Sequence, residues 1–292
     1  MSTARQPFAF TYAGFVLDGT DEFGCEWTTS VADGWFSSAK VRGGGGSDRS
    51  GQDGAWGSTP LRTARIVRLA GRVRTTDGIG VLELAMRRFA ALPVVGELAC
   101  TSTVLTLSGA AQIEDAPDTS LVAADNLAGP RQATWQVTVR LPDPLLYGPE
   151  TFLSTGLDGV AGTGRVWPRV WPRDWGIPAG ETPGSIEVPN DGTAPYWPRL
   201  RIDGPVPNPV VTLNETGDWV RFNGSLGAGQ WLDFDLANRR VLLNGQVSLR
   251  QFVTSSGRWL MVPPGGGSVS WAADGADPAA TLSVWSYEGA WS

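Results

Sequence analysis

The chain has 292 residues, with 38 glycines and 21 prolines but only 18% charged residues, so it predicts a mainly β protein of about two domains. Basic residues number 13 against 16 acidic residues in positions 1–150 and 10 against 13 in the remainder, so neither half is basic enough to grip nucleic acid through its phosphates. Histidine is absent, which excludes Ser–His and Cys–His catalysis and every histidine-ligated metal site.

The N-terminus carries no secretory signal, and no run of 18 apolar residues occurs. We therefore expect a soluble protein that is made in the cytoplasm and does not insert into a membrane. Cys25 and Cys100 are too few and too far apart for a zinc site, so we expect two buried free thiols, although a disulfide between them stays possible.

The first elements along the chain are half-buried strands. Phe8, Phe10 and Tyr12 alternate with polar residues, and the apolar residues from Val67 to Val73 do the same. The glycine-rich stretch between them cannot pack by itself, so it predicts a mobile hairpin or an arm that orders on contact with a neighbouring subunit. Its four consecutive glycines lack the motif of a phosphate loop. The candidate contact residues of the arm, about 42–57, are Arg42, Gly43, Gly44, Asp48, Arg49, Gln52, Asp53 and Trp56.

One helix is predicted, at about residues 78–91, with Asp77 as its cap. Its apolar stripe consists of Ile79, Leu82, Met86 and Phe89. A helix with a single apolar stripe must lie on a sheet, so residues 1–147 predict an α+β domain in which one helix covers a β-sandwich. Prolines after Leu141 place the domain boundary near Asp143–Glu150, and residues 148–292 form the second domain.

The second domain is rich in tryptophan. Trp167, Trp171 and Trp175 recur at four-residue steps, and the prolines after the first two favour an extended segment whose rings pack on a sheet. From Gly184 onward, short alternating strands recur about every ten residues, which predicts a jelly-roll or galectin-like β-sandwich.

Two carboxylates and one indole of this domain are candidate groups for catalysis or binding. Asp233 and Asp235 share one strand face, where they could hold a cation or act as an acid–base pair, but Asp235 with Asn238 more plausibly opens a turn. Trp231 shares that face and should point outward. An outward indole suits either sugar stacking or a subunit interface, and we favour the interface.

An ordered block of turn and strand residues runs from Pro198 to Gly245. It resembles the C-terminal domain of the siphophage distal tail protein family, and Asp143–Gly148 resembles the interdomain signature of that family. The arm resembles the variable belt region of the same family. The residues that carry the C-terminal resemblance are Asp203, Gly204, Pro205, Asn208, Pro209, Gly229, Asp235, Arg239, Asn244 and Gly245.

The resemblance implies an architectural protein of the virion, with neither catalysis nor cofactor. Six copies would form a ring at the distal end of the tail, with N-terminal domains continuing the tail tube and C-terminal domains projecting outward. Its expected partners are the tail tube protein and the tip proteins, and DNA would pass through the lumen without specific binding. Because two domains use nearly the whole chain, we expect other proteins to recognise the host. The alternatives are a glycan-binding lectin and a hydrolase that uses Asp233 and Asp235.

Overall fold

The computed structural model describes residues 8–42, 47–57, 61–122, 131–157, 184–275, 277 and 279–292. The chain divides into two compact units, of which unit 1 is Met1–Pro149 with Trp291–Ser292 and unit 2 is Glu150–Ala290. The predicted mainly β fold is confirmed. The predicted Trp167–Trp175 segment lies outside the described residues, as do Gly43 and Gly44.

Unit 1 is built on a long antiparallel sheet. Its strands are β1 (Phe8–Tyr12), β2 (Phe15–Val16), β3 (Gly19–Thr20), β4 (Glu26–Asp33), β5 (Val41–Arg42), β6 (Leu61–Arg62), β7 (Arg65–Thr75), β8 (Val95–Ser102), β9 (Thr106–Leu121), β10 (Arg131–Leu141) and β11 (Leu146–Tyr147). The sheet order is β2-β1-β8-β9-β10-β7-β4-β3, while β5 and β6 pair as a separate ribbon. Buried and exposed residues alternate along β7, which confirms the predicted half-buried strand from Val67 to Val73. The same alternation is found along β10.

The helix α1 (Ile79–Ala90) is the only α-helix in the described residues and confirms the sequence prediction. It buries Leu82, Ala85 and Phe89. Phe89 packs 5.4 Å from Trp27 and 5.5 Å from Trp135 between ring centroids, so α1 is fixed to the sheet by an aromatic cluster.

Two details of the helix prediction were wrong. The N-cap residue is Gly78, and no side chain caps the helix, because the chain enters through a positive φ of 100° at this glycine. Asp77 therefore lies one position too early. Ile79 is also 53% exposed, since the buried stripe begins one turn later at Leu82.

The acidic residues near the start of the chain hold backbone groups. Asp18 accepts hydrogen bonds from the amides of Phe10 and Thr29, at 2.9 and 2.7 Å. Asp21 accepts from the Cys25 amide at 2.8 Å and from the Trp27 indole at 2.8 Å. Asp18 therefore joins β1 to β4, and Asp21 fixes the turn before β4, because each satisfies donors that would otherwise be unpaired.

Arg65 is a buried cation in unit 1. Its guanidinium donates to the carbonyl groups of Gly34, Trp35, Ser37 and Pro144. Burial, and secondly the positive charge of Arg62, lowers the pKa of Arg65. One side chain therefore gathers two chain segments that are far apart in sequence. The predicted free thiols of Cys25 and Cys100 are also buried, and burial raises the pKa of Cys100 to about 12.

Unit 2 contains two larger antiparallel sheets. Its strands are β12 (Glu150–Gly156), β13 (Ser185–Val188), β14 (Arg199–Asp203), β15 (Val206–Pro207), β16 (Val210–Leu213), β17 (Asp218–Phe222), β18 (Ser225–Leu226), β19 (Trp231–Asp235), β20 (Arg240–Leu243), β21 (Val247–Ser248), β22 (Val253–Ser255), β23 (Gly267–Ala272) and β24 (Thr281–Tyr287), with a 3₁₀ helix at Arg250–Phe252; the chain ends with β25 (Ala290–Trp291). One sheet has the order β12-β24-β14-β19-β20-β21 and the other β13-β23-β16-β17-β22. Each buries alternate residues, such as Leu200 and Ile202 on β14 and Val211 and Leu213 on β16, as expected for sheets that share a core.

A buried polar pair fixes the loops at one end of unit 2. The Tyr196 hydroxyl lies 2.8 Å from the Pro189 carbonyl oxygen and 3.0 Å from that of Tyr287. The Asn190 side-chain amide donates to the carbonyl groups of Ala194, Val262 and Pro263 at 3.0 to 3.2 Å. Because both side chains are fully paired and almost completely buried, the loops they join are held in one conformation.

Candidate functional site

The first candidate surface is the hairpin arm, which we define as β5, residues 47–57 and β6. Val41 pairs with Arg62 at its base, and Asp48 bridges to Ala55 nearer its tip. The amides of Arg49 and Trp56 donate to Gly54 and Ser47 at 3.0 and 2.9 Å. The described part of the arm is therefore a β-hairpin.

The hairpin arm carries an exposed indole. Trp56 is 63% exposed, and the guanidinium carbon of Arg49 lies 4.9 Å from its ring centroid. Arg42, Asp48, Gln52 and Asp53 are also exposed. Tryptophan and arginine are among the residue types that contribute most to binding at protein interfaces. The arm therefore presents, side by side, two side chains of the kind that anchor such interfaces.

The second candidate surface is the outer face of the β12-β24-β14-β19 sheet, which we call the arginine–aromatic face. The Arg201 guanidinium carbon lies between two indoles, 5.4 Å from the Trp231 centroid and 5.6 Å from that of Trp285. Arg199 lies 5.7 Å from Trp285, and Phe152 lies 5.2 Å from the same ring. The strand register places these side chains side by side, since Arg199 faces Trp285, which in turn faces Phe152.

Trp231 points outward as predicted, because its neighbour Leu232 and then Phe234 are buried in the core. Trp231 is partly exposed. Its N–H donates to Asp233 at 3.1 Å, and Arg201 lies over one face of its ring. Its polar group and one ring face are thus already engaged within the protein.

Asp233 and Asp235 are each held by neighbouring groups. Asp233 forms an ion pair with Arg201 at 2.7 Å. Asp235 accepts hydrogen bonds from the backbone and side-chain amides of Asn238 at 3.1 and 2.9 Å, which confirms the predicted turn. Arg240 lies 3.6 Å from the same carboxylate. These contacts are those of structural carboxylates, since Asp233 joins β19 to β14 and Asp235 fixes the turn after β19.

The residues that carry the family resemblance lie at turns and strand ends. Asn208, Arg239, Asn244, Gly229 and Gly245 have φ angles of 46°, 53°, 50°, 76° and 70°. Such left-handed backbone favours glycine and asparagine, so the motif encodes turn geometry. Gly204 and Pro205 are joined by a cis bond, Asp203 ends β14, and the Pro209 carbonyl accepts the Phe222 amide at 2.9 Å.

The sequence reasoning missed Phe152, Trp285, Arg199 and Arg201. A signal was present, because Arg199 and Arg201 alternate with buried residues and Trp285 does the same on β24. Alternation shows which face a residue occupies but not which strand lies beside it. The contact between Trp285 and Arg201 joins residues 84 positions apart and needs the strand order.

The described residues offer neither a metal site nor a membrane-spanning helix. They contain no group of three or more acidic, cysteine or histidine side chains that could hold a metal ion. No helix in that part of the chain has the length and apolar character needed to cross a membrane.

Comparisons with known proteins agree with this architecture. Residues 191–291 match the family model described as siphovirus-type tail component, C-terminal domain. The fold is similar to that of the SPP1 Dit protein, described as a paradigm of the hub adsorption apparatus in phages that infect Gram-positive bacteria. The TM-score is 0.59 at 14% identity, and the match covers 96% of this chain and 98% of that one.

Structures of the phage P2 baseplate in its activated conformation give lower scores. The calcium form has a TM-score of 0.42 at 11% identity, covering 96% of this chain and 98% of that one. The strontium form has 0.39 at 9% identity, covering 95% and 97%. Comparison with curated protein sequences gave no match. The predicted resemblance is thus confirmed: residues 191–291 are similar in sequence to a siphovirus-type tail component C-terminal domain, and the chain is similar in fold to the SPP1 Dit hub protein.

Proposed function

We propose that this protein is a distal tail hub of a long-tailed phage, a structural virion protein that joins the tail tube to the tip complex. The observation that carries the proposal is the similarity in fold to a hub protein over 96% of the chain, together with the tail-component domain at residues 191–291. A hub acts by assembly, so its function depends on surfaces that bind further copies and partners.

In this proposal, six copies of unit 1 form a ring, and unit 2 projects outward. Exposed apolar side chains of unit 1 support ring formation. The short strand β2 pairs with β1 only at Thr11 and Tyr12, and β3 pairs with β4 only at Glu26 and Trp27. Beside them, the amides of Phe10 on β1 and Thr29 on β4 are already bonded to Asp18, so side chains would carry the contact to another subunit. The exposed side chains of Val31 and Phe36 lie on and just after β4.

The hairpin arm supplies a second contact between neighbouring subunits. Trp56 is large and 63% exposed, and burial of such a side chain against a partner is strongly favourable. We assign the candidate residues of the arm to this contact. Trp231 would instead brace the arginine–aromatic face, on which tip proteins could bind.

The proposed partners follow from the same role. The hub would bind the tail tube protein on one side and tip proteins on the other, and its lumen would pass DNA. A net charge of −6 disfavours attraction of DNA to the protein. Neither catalysis nor a cofactor is part of the proposal, and host recognition is left to other proteins of the tip.

Electron microscopy of the purified protein and of the virion tests the hub role. We expect six-fold rings at the tail end. The Trp56→Ala variant should weaken each subunit contact by about thirtyfold or more, if Trp56 is an interface anchor. Trp197→Ala is the matched control, because Trp197 is a 42% exposed tryptophan of unit 2 and should leave the rings intact.

Particles that never close into rings would contradict the hub role. Glycan binding is the second candidate function, because the exposed Phe152 beside Trp285 offers an aromatic surface on which a sugar could stack. Specific binding of the isolated protein to host cell-wall glycan, lost in Phe152→Ala or Trp231→Ala, would support that candidate instead.

A further inference from the structure

Unit 2 contains a cleft that the hub role does not use. Its volume is about 590 Å³, within the range of clefts that bind ligands. The walls are apolar and are formed by Trp197, Trp259, Met261 and three prolines, Pro195, Pro263 and Pro264. We call it the proline–tryptophan cleft.

The walls of this cleft are fixed in advance. The Asn190 side-chain amide donates to the carbonyl group of Ala194, which precedes the wall residue Pro195, and to that of the wall residue Pro263. Tyr196 and Val262 exchange backbone hydrogen bonds at 3.2 and 2.8 Å. A site held in this way loses little entropy when a ligand binds.

The rim of the cleft is positively charged. Arg239 and Arg258 are exposed and line it, and neither has an ion-pair partner among the described residues. Asp218 is the opposing carboxylate, and it accepts a hydrogen bond from the Ser256 hydroxyl at 3.1 Å. Two guanidinium groups against one carboxylate leave a local positive charge in a chain whose net charge is −6.

We propose that the proline–tryptophan cleft binds an extended segment of a partner protein in which a glutamate or aspartate lies beside proline or aromatic residues. Guanidinium groups bind carboxylates through paired hydrogen bonds, so Arg239 and Arg258 select an acidic side chain. The tryptophan and proline walls select the apolar neighbours, as aromatic-lined grooves do for proline-rich segments.

A neutral sugar fits this chemistry less well. Proline has no backbone N–H, so the three wall prolines offer no amide donors to hydroxyl groups. The charged donors at the rim are the two guanidinium groups, which favour an anion. This inference stands independently of the hub role, because the cleft lies wholly within unit 2.

Fluorescence polarisation with a labelled nonapeptide of three Glu-Pro-Phe repeats tests the proposal on the full chain. We expect binding that weakens as salt increases, and binding at least about tenfold weaker when glutamine replaces glutamate in the peptide. The double variant Arg239→Gln, Arg258→Gln should lose about tenfold in affinity or more, and so should Trp197→Ala.

Two matched variants control for charge and for aromatic content. Arg72→Gln removes one positive charge from unit 1, and Phe252→Ala removes an exposed aromatic ring of unit 2 outside the cleft, so both should bind the peptide normally. Thermal unfolding of each variant separates loss of binding from loss of folding.

The proposal is overturned if the acidic peptide does not bind, if the glutamine peptide binds equally well, or if the double arginine variant is unaffected. Oligoglucuronate and inorganic polyphosphate are tested in parallel. Tighter binding of either would overturn the assignment to a peptide, because the arginines would then serve another source of anions. Ring formation is measured separately, so failure here leaves the hub role untouched.

Discussion

Arginine has three different roles in this protein, and burial distinguishes them. Arg65 is buried and donates to carbonyl groups, so it holds the chain together. Arg201 is partly exposed and lies between two indoles while it neutralises Asp233. Arg239 and Arg258 are exposed at the rim of a cleft, where a ligand could reach them. The planar guanidinium suits all three roles because it combines several donors with a flat surface that stacks.

Gly71→Ala should be strongly destabilising. A Cβ atom at Gly71 would lie 1.8 Å from the Thr28 carbonyl oxygen and 2.8 Å from Trp135, and the backbone oxygen cannot move away without breaking the β4–β7 pairing. We expect a loss of about 2–4 kcal/mol in the free energy of unfolding, measured by urea denaturation. Gly80→Ala in α1 has open space and should gain up to about 1 kcal/mol. Equal stability of the two variants would refute this packing argument.

Tyr196 predicts a dependence of stability on alkaline pH. Burial raises its pKa from 10.0 to about 12. The unfolded chain therefore loses the phenol proton at lower pH than the folded chain. The contribution of the neutral Tyr196 side chain to the free energy of unfolding is complete below pH 10 and is lost as the pH rises to about 12. The wild type should therefore lose about 2 kcal/mol more than Tyr196→Phe over that range. Parallel stability curves for the two proteins, measured by urea denaturation, would argue against this origin.

At the scale of elements, the sheet of unit 1 and the hairpin arm differ in what holds them. The sheet is fixed by the aromatic cluster of Phe89, Trp27 and Trp135 and by long strand pairings. The described tip of the arm is exposed along its length and is held by two backbone hydrogen bonds and the contact of Arg49 with Trp56. The hairpin arm should therefore contribute little to the free energy of unfolding of unit 1.

Removal of the tip tests this difference. Replacing residues 43–60 by Asn-Gly joins Arg42 to Leu61, which are paired residues in the β5–β6 ribbon, through a two-residue turn. The melting temperature of the monomer should change by no more than about 2 °C, because residues 47–57 of the arm are all exposed. Ring formation should be weakened, as for Trp56→Ala. A large fall in the melting temperature would show that the arm stabilises the monomer.

At the scale of the whole molecule, each unit has its own sheets and buried residues. Unit 2 buries Leu200, Phe234, Val269 and Val284 within its sheets. A domain of this size can bury enough apolar surface to fold alone. The proposed division of labour, with ring formation in one unit and projection of the other, requires that each unit be stable by itself.

Expression of residues 150–290 tests this independence. We expect a cooperative thermal transition and the near-ultraviolet circular dichroism of ordered tryptophans. The fragment should also keep the affinity of the full chain for the acidic peptide, because the cleft lies within unit 2. A fragment with secondary structure but no cooperative transition would show that unit 2 depends on the remainder of the chain.

The sequence by itself determined the features that depend on neighbours along the chain. Alternation identified the strands around Val67 and Leu232, a helical stripe identified α1, and turn residues such as Asn208 and Gly245 carried the family resemblance. The cap at Gly78 was missed because several nearby residues can begin a helix, and backbone conformation decides between them.

Only the tertiary structure decided which faces meet. The arginine–aromatic face consists of side chains from β12, β14, β19 and β24. The proline–tryptophan cleft forms where the segment around Trp197 lies beside the segment around Trp259. Periodicity tells which side of a strand a residue occupies, whereas its partner depends on strand order and register. Those are set by the packing of the complete core, which brings together residues that are distant in the chain.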